Sequence, residues 1–304
     1  MNRTPTTPWA QTEGPRQRPI TGIRDARPYQ IAVQGVLLLY GIFALGLEFD
    51  PGISAAYILS ALAAQYAFSL GGRFDPLSAL ISALSLCLLL RTDSLVLAAA
   101  AGAGAIAAKF CVRWRGAHVF NPSCIAIVAA LLLSDSAWIS PGQWGRAAWL
   151  TLAIGCLGLV VLTRARRLDI SLAFLVAWAA LMFARAGWLG DPLGIPWHQM
   201  QNASLLIFAF YMLSDPKTTP LTATGRALYA CIVAAAGAVA VFAYYEPAGL
   251  IYALAACAPL RFVIDRIWPP EKPAGTSPRI LIRDPSAPPC TDPSFPSSTK
   301  RHRT

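Results

Sequence analysis

Two short strings place helix-breaking prolines beside amide, carboxylate and hydroxyl side chains: Asn121-Pro122, and Asp215-Pro216-Lys217-Thr218-Thr219-Pro220. Each stands at the end of a long apolar run. Pro122 suits the first turn of a helix, where its missing N–H is no loss, and Asn121 then falls at the N-cap, able to hold a free amide. One reading is a simple cap. The other is a helix N-terminus whose positive end faces an anionic group such as a phosphate, favoured by the nearby Lys109, Arg113 and Arg115. In the second string Pro216 and Pro220 stiffen a turn, while Asp215, Thr218 and Thr219 can satisfy loose amides, and Gly225-Arg226 opens the next apolar run. A well-capped connector would use the same residues, so both readings stay open from spacing alone.

The elements that must position these strings are membrane helices. The chain is 56% hydrophobic and 13% charged, against about a quarter charged in soluble domains. Its apolar residues fall in blocks near the length that spans a bilayer core of about 30 Å. The pattern predicts an all-α, polytopic membrane protein with about ten spans, over 29–49, 51–70, 75–90, 93–110, 122–137, 147–163, 169–187, 200–214, 227–245 and 248–265. In lipid a broken helix frees carbonyls and amides that only protein, water or ligand can satisfy, which makes both strings candidates for a site.

The net charge of +10 could suggest nucleic acid, but its distribution follows the positive-inside rule. With a cytoplasmic N-terminus, inside loops hold nine basic residues: Arg73, Lys109, Arg113, Arg115, Arg164, Arg166, Arg167, Lys217 and Arg226. Outside loops hold three, Arg91, Arg146 and Arg185. Ten spans put both termini in the cytoplasm, and no nucleic-acid partner is expected. Residues 1–28 and 267–304 read as disordered tails, the second rich in Pro and Ser, flanking one membrane domain over 29–266. No secretory signal precedes the first span. The seven cysteines form no C-x-x-C pair, so no metal site is expected.

Two internal matches suggest repeats, but both cannot belong to one rigid repeat. Arg73-Phe74-Asp75 and Arg167-Leu168-Asp169 precede runs ending at Arg91 and Arg185; Asn121 and Asn202 open runs ending Leu133-Ser134-Asp135 and Leu213-Ser214-Asp215. The second match implies inversion, as in an inverted-repeat transporter, and the first implies equal orientation. No span centre carries an acidic or basic residue; Gln65, Asn121, Ser123 and Asn202 are the neutral polar groups in or beside spans.

Phe120-Asn121-Pro122 and Ser214-Asp215-Pro216-Lys217-Thr218-Thr219-Pro220, with Gly225-Arg226 downstream, resemble the RnfD/NqrB family, the membrane proteins of the Rnf electron-transport complex and of the sodium-pumping NADH:quinone reductase. The resemblance covers roughly residues 28–266 and is nearest to a short RnfD-like, UnbU-like branch. It implies a flavin-bearing membrane subunit of an ion-translocating electron-transport complex in a bacterial inner membrane. Its partners would be the bilayer and the other subunits of a redox complex. It also implies cofactor contacts at Asn121, Pro122, Asp215, Thr218, Thr219 and Arg226, with non-covalent FMN or riboflavin as the cofactor. Longer members attach FMN to a Thr in a long outside loop. Here that loop, Ser134 to Arg146, contains Ser140 but no Thr, and Thr222-Ala223-Thr224 lies on the expected inside face, so covalent FMN on Thr is not expected. The alternatives are a stand-alone small-solute transporter or channel, and an accessory membrane protein of a biosynthetic cluster.

Overall fold

The computed structural model describes residues 26–47, 49–70, 74–139, 158, 163 and 167–270. Nearly all of the expected span 147–163, the basic residues Arg73, Arg146, Arg164 and Arg166, Ser140, and most of both expected tails lie outside the described residues. Met1–Pro269 is one compact unit; the second, Pro270–Thr304, lies almost wholly outside them.

Proline starts helices here as the sequence leads one to expect, because its fixed φ suits the first turn and its missing N–H is not needed there. It opens α1 (Arg27–Phe43), α2 (Pro51–Phe68), α3 (Pro76–Leu89) and α5 (Pro122–Leu133). Side-chain caps complete several starts. Asp50 accepts from the Gly52 and Ile53 amides at α2, and Ser94 from Leu97 N at α4 (Leu95–Cys111). The second half holds α6 (Leu168–Leu189), α7 (Gly194–Met200), α8 (Ala203–Ile207), a π-turn (Phe208–Met212), α9 (Ala223–Ala243), α10 (Gly249–Cys257) and α11 (Leu260–Ile267).

The protein is mostly helical, with two additions and one shortening relative to expectation. A short strand β1 (Leu90–Thr92) pairs antiparallel with β4 (Ala137–Ile139), and β2 (Arg113–Trp114) pairs with β3 (Ala117–His118). Among the described residues α6 and α9, of 22 and 21 residues, are the two helices long and apolar enough to cross a membrane. At 1.5 Å per residue each reaches roughly 30 Å. The other apolar helices are shorter than the spans read from hydropathy, for a physical reason: apolar sequence does not stop where the helix stops. Leu90 continues the run of α3 but leaves the helix to pair with Ile139, and the run over 248–265 divides near Pro259 into α10 and α11.

Small residues let the first-half helices approach closely. α2 runs along α4, and a Cβ on Gly102 would lie 2.6 Å from the Tyr57 carbonyl. In the second half α6 packs on α9 and α9 on α10, while α5 touches both α4 and α10 and joins the halves.

Candidate functional site

The chain breaks its helix at Phe208–Met212, where the backbone widens into a π-turn and leaves carbonyls without regular partners. Three side chains from three segments supply the missing donors. Ser171 Oγ of α6 donates to Ala209 O at 2.7 Å, Ser214 Oγ to Phe210 O at 2.5 Å, and Asn121 Nδ2 to Met212 O at 3.2 Å. Ser171, Asn121 and Ser214 are all buried, so each donor answers a carbonyl that lipid could not satisfy.

Asn121 serves both the cap and the break. Its Oδ1 accepts from Cys124 N at 3.1 Å and from Ser123 Oγ at 2.8 Å while its amide nitrogen reaches Met212. Those partners fix which side of the amide is which. Pro122 takes the first turn of α5.

The second string closes on itself as a tight turn. Lys217 N donates to Asp215 Oδ1 at 3.0 Å, Thr218 N and Oγ1 reach Asp215 O, and the Thr219 hydroxyl is buried with no hydrogen-bond partner among the described residues. Burial pushes the Asp215 carboxyl above its usual range, against the pull of the Lys217 amide and the Lys217, Arg261 and Arg167 charges. Arg226 is committed elsewhere. Its guanidinium grips Asp169 at the start of α6 through Nε (2.7 Å) and Nη2 (2.5 Å), and Nη1 donates to Leu221 O. Thr222 caps α9 by accepting from Gly225 N at 3.1 Å, the ordinary work of a helix-start Thr.

The two strings do meet. Arg261 of α11 turns inward, and its Nη1 donates to His118 O at 3.3 Å and to Lys217 O, so one guanidinium ties the segment before Asn121 to the Asp215 turn. Two of the basic residues expected to favour an anion beside Asn121 make other bonds. Lys109 Nζ is buried and donates to Gln65 Oε1 and Ser78 Oγ, both at 2.9 Å, and Arg113 Nη2 donates to Gly116 O within its own hairpin.

His118 carries a pH consequence. Its Nδ1 lies 2.8 Å from Lys109 O, which requires the proton on that nitrogen. Burial, then the Lys217 and Arg113 charges, push its pKa down to about 4. The unfolded chain protonates near pH 6.5. The neutral ring therefore contributes stability that is complete above that value and is lost as pH falls toward 4. Asp215, shifted the other way, contributes stability below its unfolded pKa that is lost as pH rises. Comparing wild type with His118→Asn isolates the first term. The wild-type melting temperature in detergent should fall more steeply between pH 7 and pH 5 than that of His118→Asn, and equal slopes would contradict the assignment.

A cavity of about 310 Å³ lies on the far side of the π-turn. Trp178, Met182, Phe208 and Phe242 form its apolar walls, and Gln199, Asn202 and Ser204 bring polar groups to it. Its aromatic wall continues as a ladder. Phe208 tilts against Phe174 at 5.3 Å, Phe174 stacks on Trp178 at 6.1 Å, Trp178 on Phe242 at 6.0 Å, and Arg185 lies 4.5 Å over the Phe242 ring. Met212 lines the cavity and also holds Asn121 by its carbonyl. Ile139, beyond the end of α5, lines it together with Asn202, the N-cap of α8.

None of the six residues Asn121, Pro122, Asp215, Thr218, Thr219 and Arg226 lines this cavity; Asn121 reaches it through Met212. The residues missed in the sequence are Ser171, Trp178, Phe208 and Phe242. The one faint signal was Phe174 and Trp178, four apart on one face of a helix.

Residues 132–272 match the model of the NQR2, RnfD, RnfE family, which supports RnfD/NqrB-type membership. The match contains the Asp215 string, the π-turn and Arg226, and begins after Asn121. No curated protein matches the chain. Family and apolar helices together point to a membrane protein of the type that serves in Rnf/Nqr-type complexes.

Proposed function

We propose that this chain is the membrane subunit of a redox complex of Rnf/Nqr type, and that the aromatic-walled cavity holds the ring system of a non-covalent flavin, FMN or riboflavin. The observation that carries this reading is the cavity itself. Its volume, about 310 Å³, lies at the lower end of the range for ligand pockets, about 300–1,000 Å³. It presents flat aromatic faces to a planar ring and a few amide and hydroxyl groups to ring heteroatoms. Trp178, Phe208 and Phe242 would stack on or edge against the ring, Asn202 and Gln199 would bond its polar edge, and the surrounding apolar side chains would exclude water. A bound flavin would supply transfer of one or two electrons. The chain's own part is to hold the ring dry and oriented. The π-turn does this by aiming Phe208 and Met212 at the cavity, and Ser171, Ser214 and Asn121 hold the π-turn.

The remaining site residues fit a supporting role. Asp215, Thr218 and Thr219 shape the turn that follows the π-turn, and Arg226 clamps α9 to α6, whose Trp178 lines the cavity. Purification in mild detergent should give a protein with flavin absorption bands whose chromophore is released by denaturation and leaves no fluorescent protein band in a denaturing gel. Protein that carries no flavin and binds none on titration with FMN or riboflavin would refute the cofactor reading. A fluorescent band would refute its non-covalent form.

A further inference from the structure

At the end of the molecule held together by Arg261, charge and apolar surface are arranged for something other than water. The β2–β3 hairpin turns through Arg115 and Gly116, both at positive φ, and carries Trp114 57% exposed between exposed Arg113 and Arg115. Helix α11 is inverted relative to a soluble surface helix. It turns Arg261 (6% exposed) and Ile264 (4%) inward, and presents Val263 (54%) and Ile267 (59%) outward with Leu260, Arg266 and the following Trp268. Against water, that pattern would expose apolar side chains and bury a guanidinium. In the headgroup region of a bilayer it places an apolar face toward acyl chains, with basic and aromatic residues at the depth they favour.

Basic side chains outnumber carboxylates on this surface. Among the described residues Arg113, Arg115, Lys217 and Arg266 form no ion pair, whereas Arg226 is paired with Asp169. The carboxylates nearby are engaged: Asp265 accepts from Leu221 N at 2.8 Å, and Asp215 is folded into its own turn. Arg261 bonds both His118 O and Lys217 O, so hairpin, turn and helix form one surface.

We propose that this surface docks on anionic phospholipid headgroups of the leaflet it faces, with Trp114, Val263, Ile267 and Trp268 entering the interface and Arg113, Arg115, Lys217 and Arg266 meeting lipid phosphates. The proposal rests on the membrane reading and not on the flavin reading, and it stands or falls separately from it.

The test uses the full-length protein in mixed micelles. Phosphatidylglycerol should raise its melting temperature more than phosphatidylcholine at equal mole fraction, and added salt should erase the difference. Each basic residue near an anionic surface strengthens association about 5-fold. A variant with Arg115→Gln and Arg266→Gln, whose side chains make no hydrogen bond or ion pair among the described residues, should therefore lose most of the preference while keeping the phosphatidylcholine melting temperature. Should that variant fold poorly, brominated lipids give an independent reading on the native charges. Brominated phosphatidylglycerol should quench tryptophan fluorescence more than brominated phosphatidylcholine, and the excess should shrink in Trp114→Phe and Trp268→Phe. Equal response to the two lipids, or a lipid preference that the charge variant retains, would overturn the proposal. So would binding only to acidic protein partners.

Discussion

Asn121→Asp is expected to unfold readily at neutral pH and to recover in acid, although the substitution changes a single atom type. The native amide both accepts, from Cys124 N and Ser123 Oγ, and donates, to Met212 O. A carboxylate keeps the acceptor role and favours the helix N-terminus. It also points a negative oxygen at a buried carbonyl that has lost its donor. A protonated Asp restores the donor, so its folded pKa must lie above the unfolded value. The stability of the variant is thus fully present below the unfolded pKa and lost as pH rises through the folded one. Asn121→Ala is the milder change. It costs about 1 kcal/mol for the cap and about 1–3 kcal/mol for the orphaned carbonyl, roughly independent of pH. Melting temperature in detergent against pH separates the three proteins. An Asn121→Asp curve that tracks wild type at pH 7 would show that the contact with Met212 contributes nothing.

The same residue shows how much was legible in the sequence. Asn before Pro at the start of an apolar run states a helix cap, and the structure has that cap. Asp215 two residues before Lys217 states a turn, and the carboxylate accepts from the Lys217 amide. These are local rules with local partners. The second partner of Asn121 is 91 residues away, and no spacing rule announces it. Ser171 was equally silent, since a Ser in an apolar run reads as a small packing residue until a helix nearby loses its regular bonding, and Ser214, though it stands in the Asp215 string, gave no sign of its bond back to Phe210 O. The π-turn itself has no composition of its own; Phe-Ala-Phe-Tyr-Met would suit an α-helix. Arg261 carries no local signal, because its inward turn depends on two backbone carbonyls from distant loops. Hydropathy found apolar segments but could not fix helix ends, because lipid, strand pairing and core packing all accept the same side chains, as Leu90 shows in β1.

Trp178→Ala is expected to strip the cavity of its flavin while leaving a protein that can still be purified. Trp178 is the middle rung between Phe174 and Phe242, stacked at interplanar angles of 17° on both sides, and it lines the cavity directly. Truncation removes a buried aromatic at a cost of about 3–5 kcal/mol and leaves a wider, less defined space against the ring. Lost stacking of about 0.5–1.5 kcal/mol, together with lost contact area, should weaken flavin binding about 10-fold or more. Trp178→Phe keeps a ring on the ladder and should retain most of the flavin. Instability alone could mimic the first result, so Gly102→Ala serves as the control. It forces a methyl against the Tyr57 carbonyl between α2 and α4, in helices that contribute no residue to the cavity. Flavin per folded protein and a fluorescence-quenching titration give the answer. If the cavity is the flavin site, Gly102→Ala melts at lower temperature yet binds as wild type does, while Trp178→Ala binds weakly even in its folded fraction. Equal affinity of Trp178→Ala and wild type would place any flavin elsewhere, and the Asp215 turn with its buried, unpartnered Thr219 hydroxyl would become the place to look.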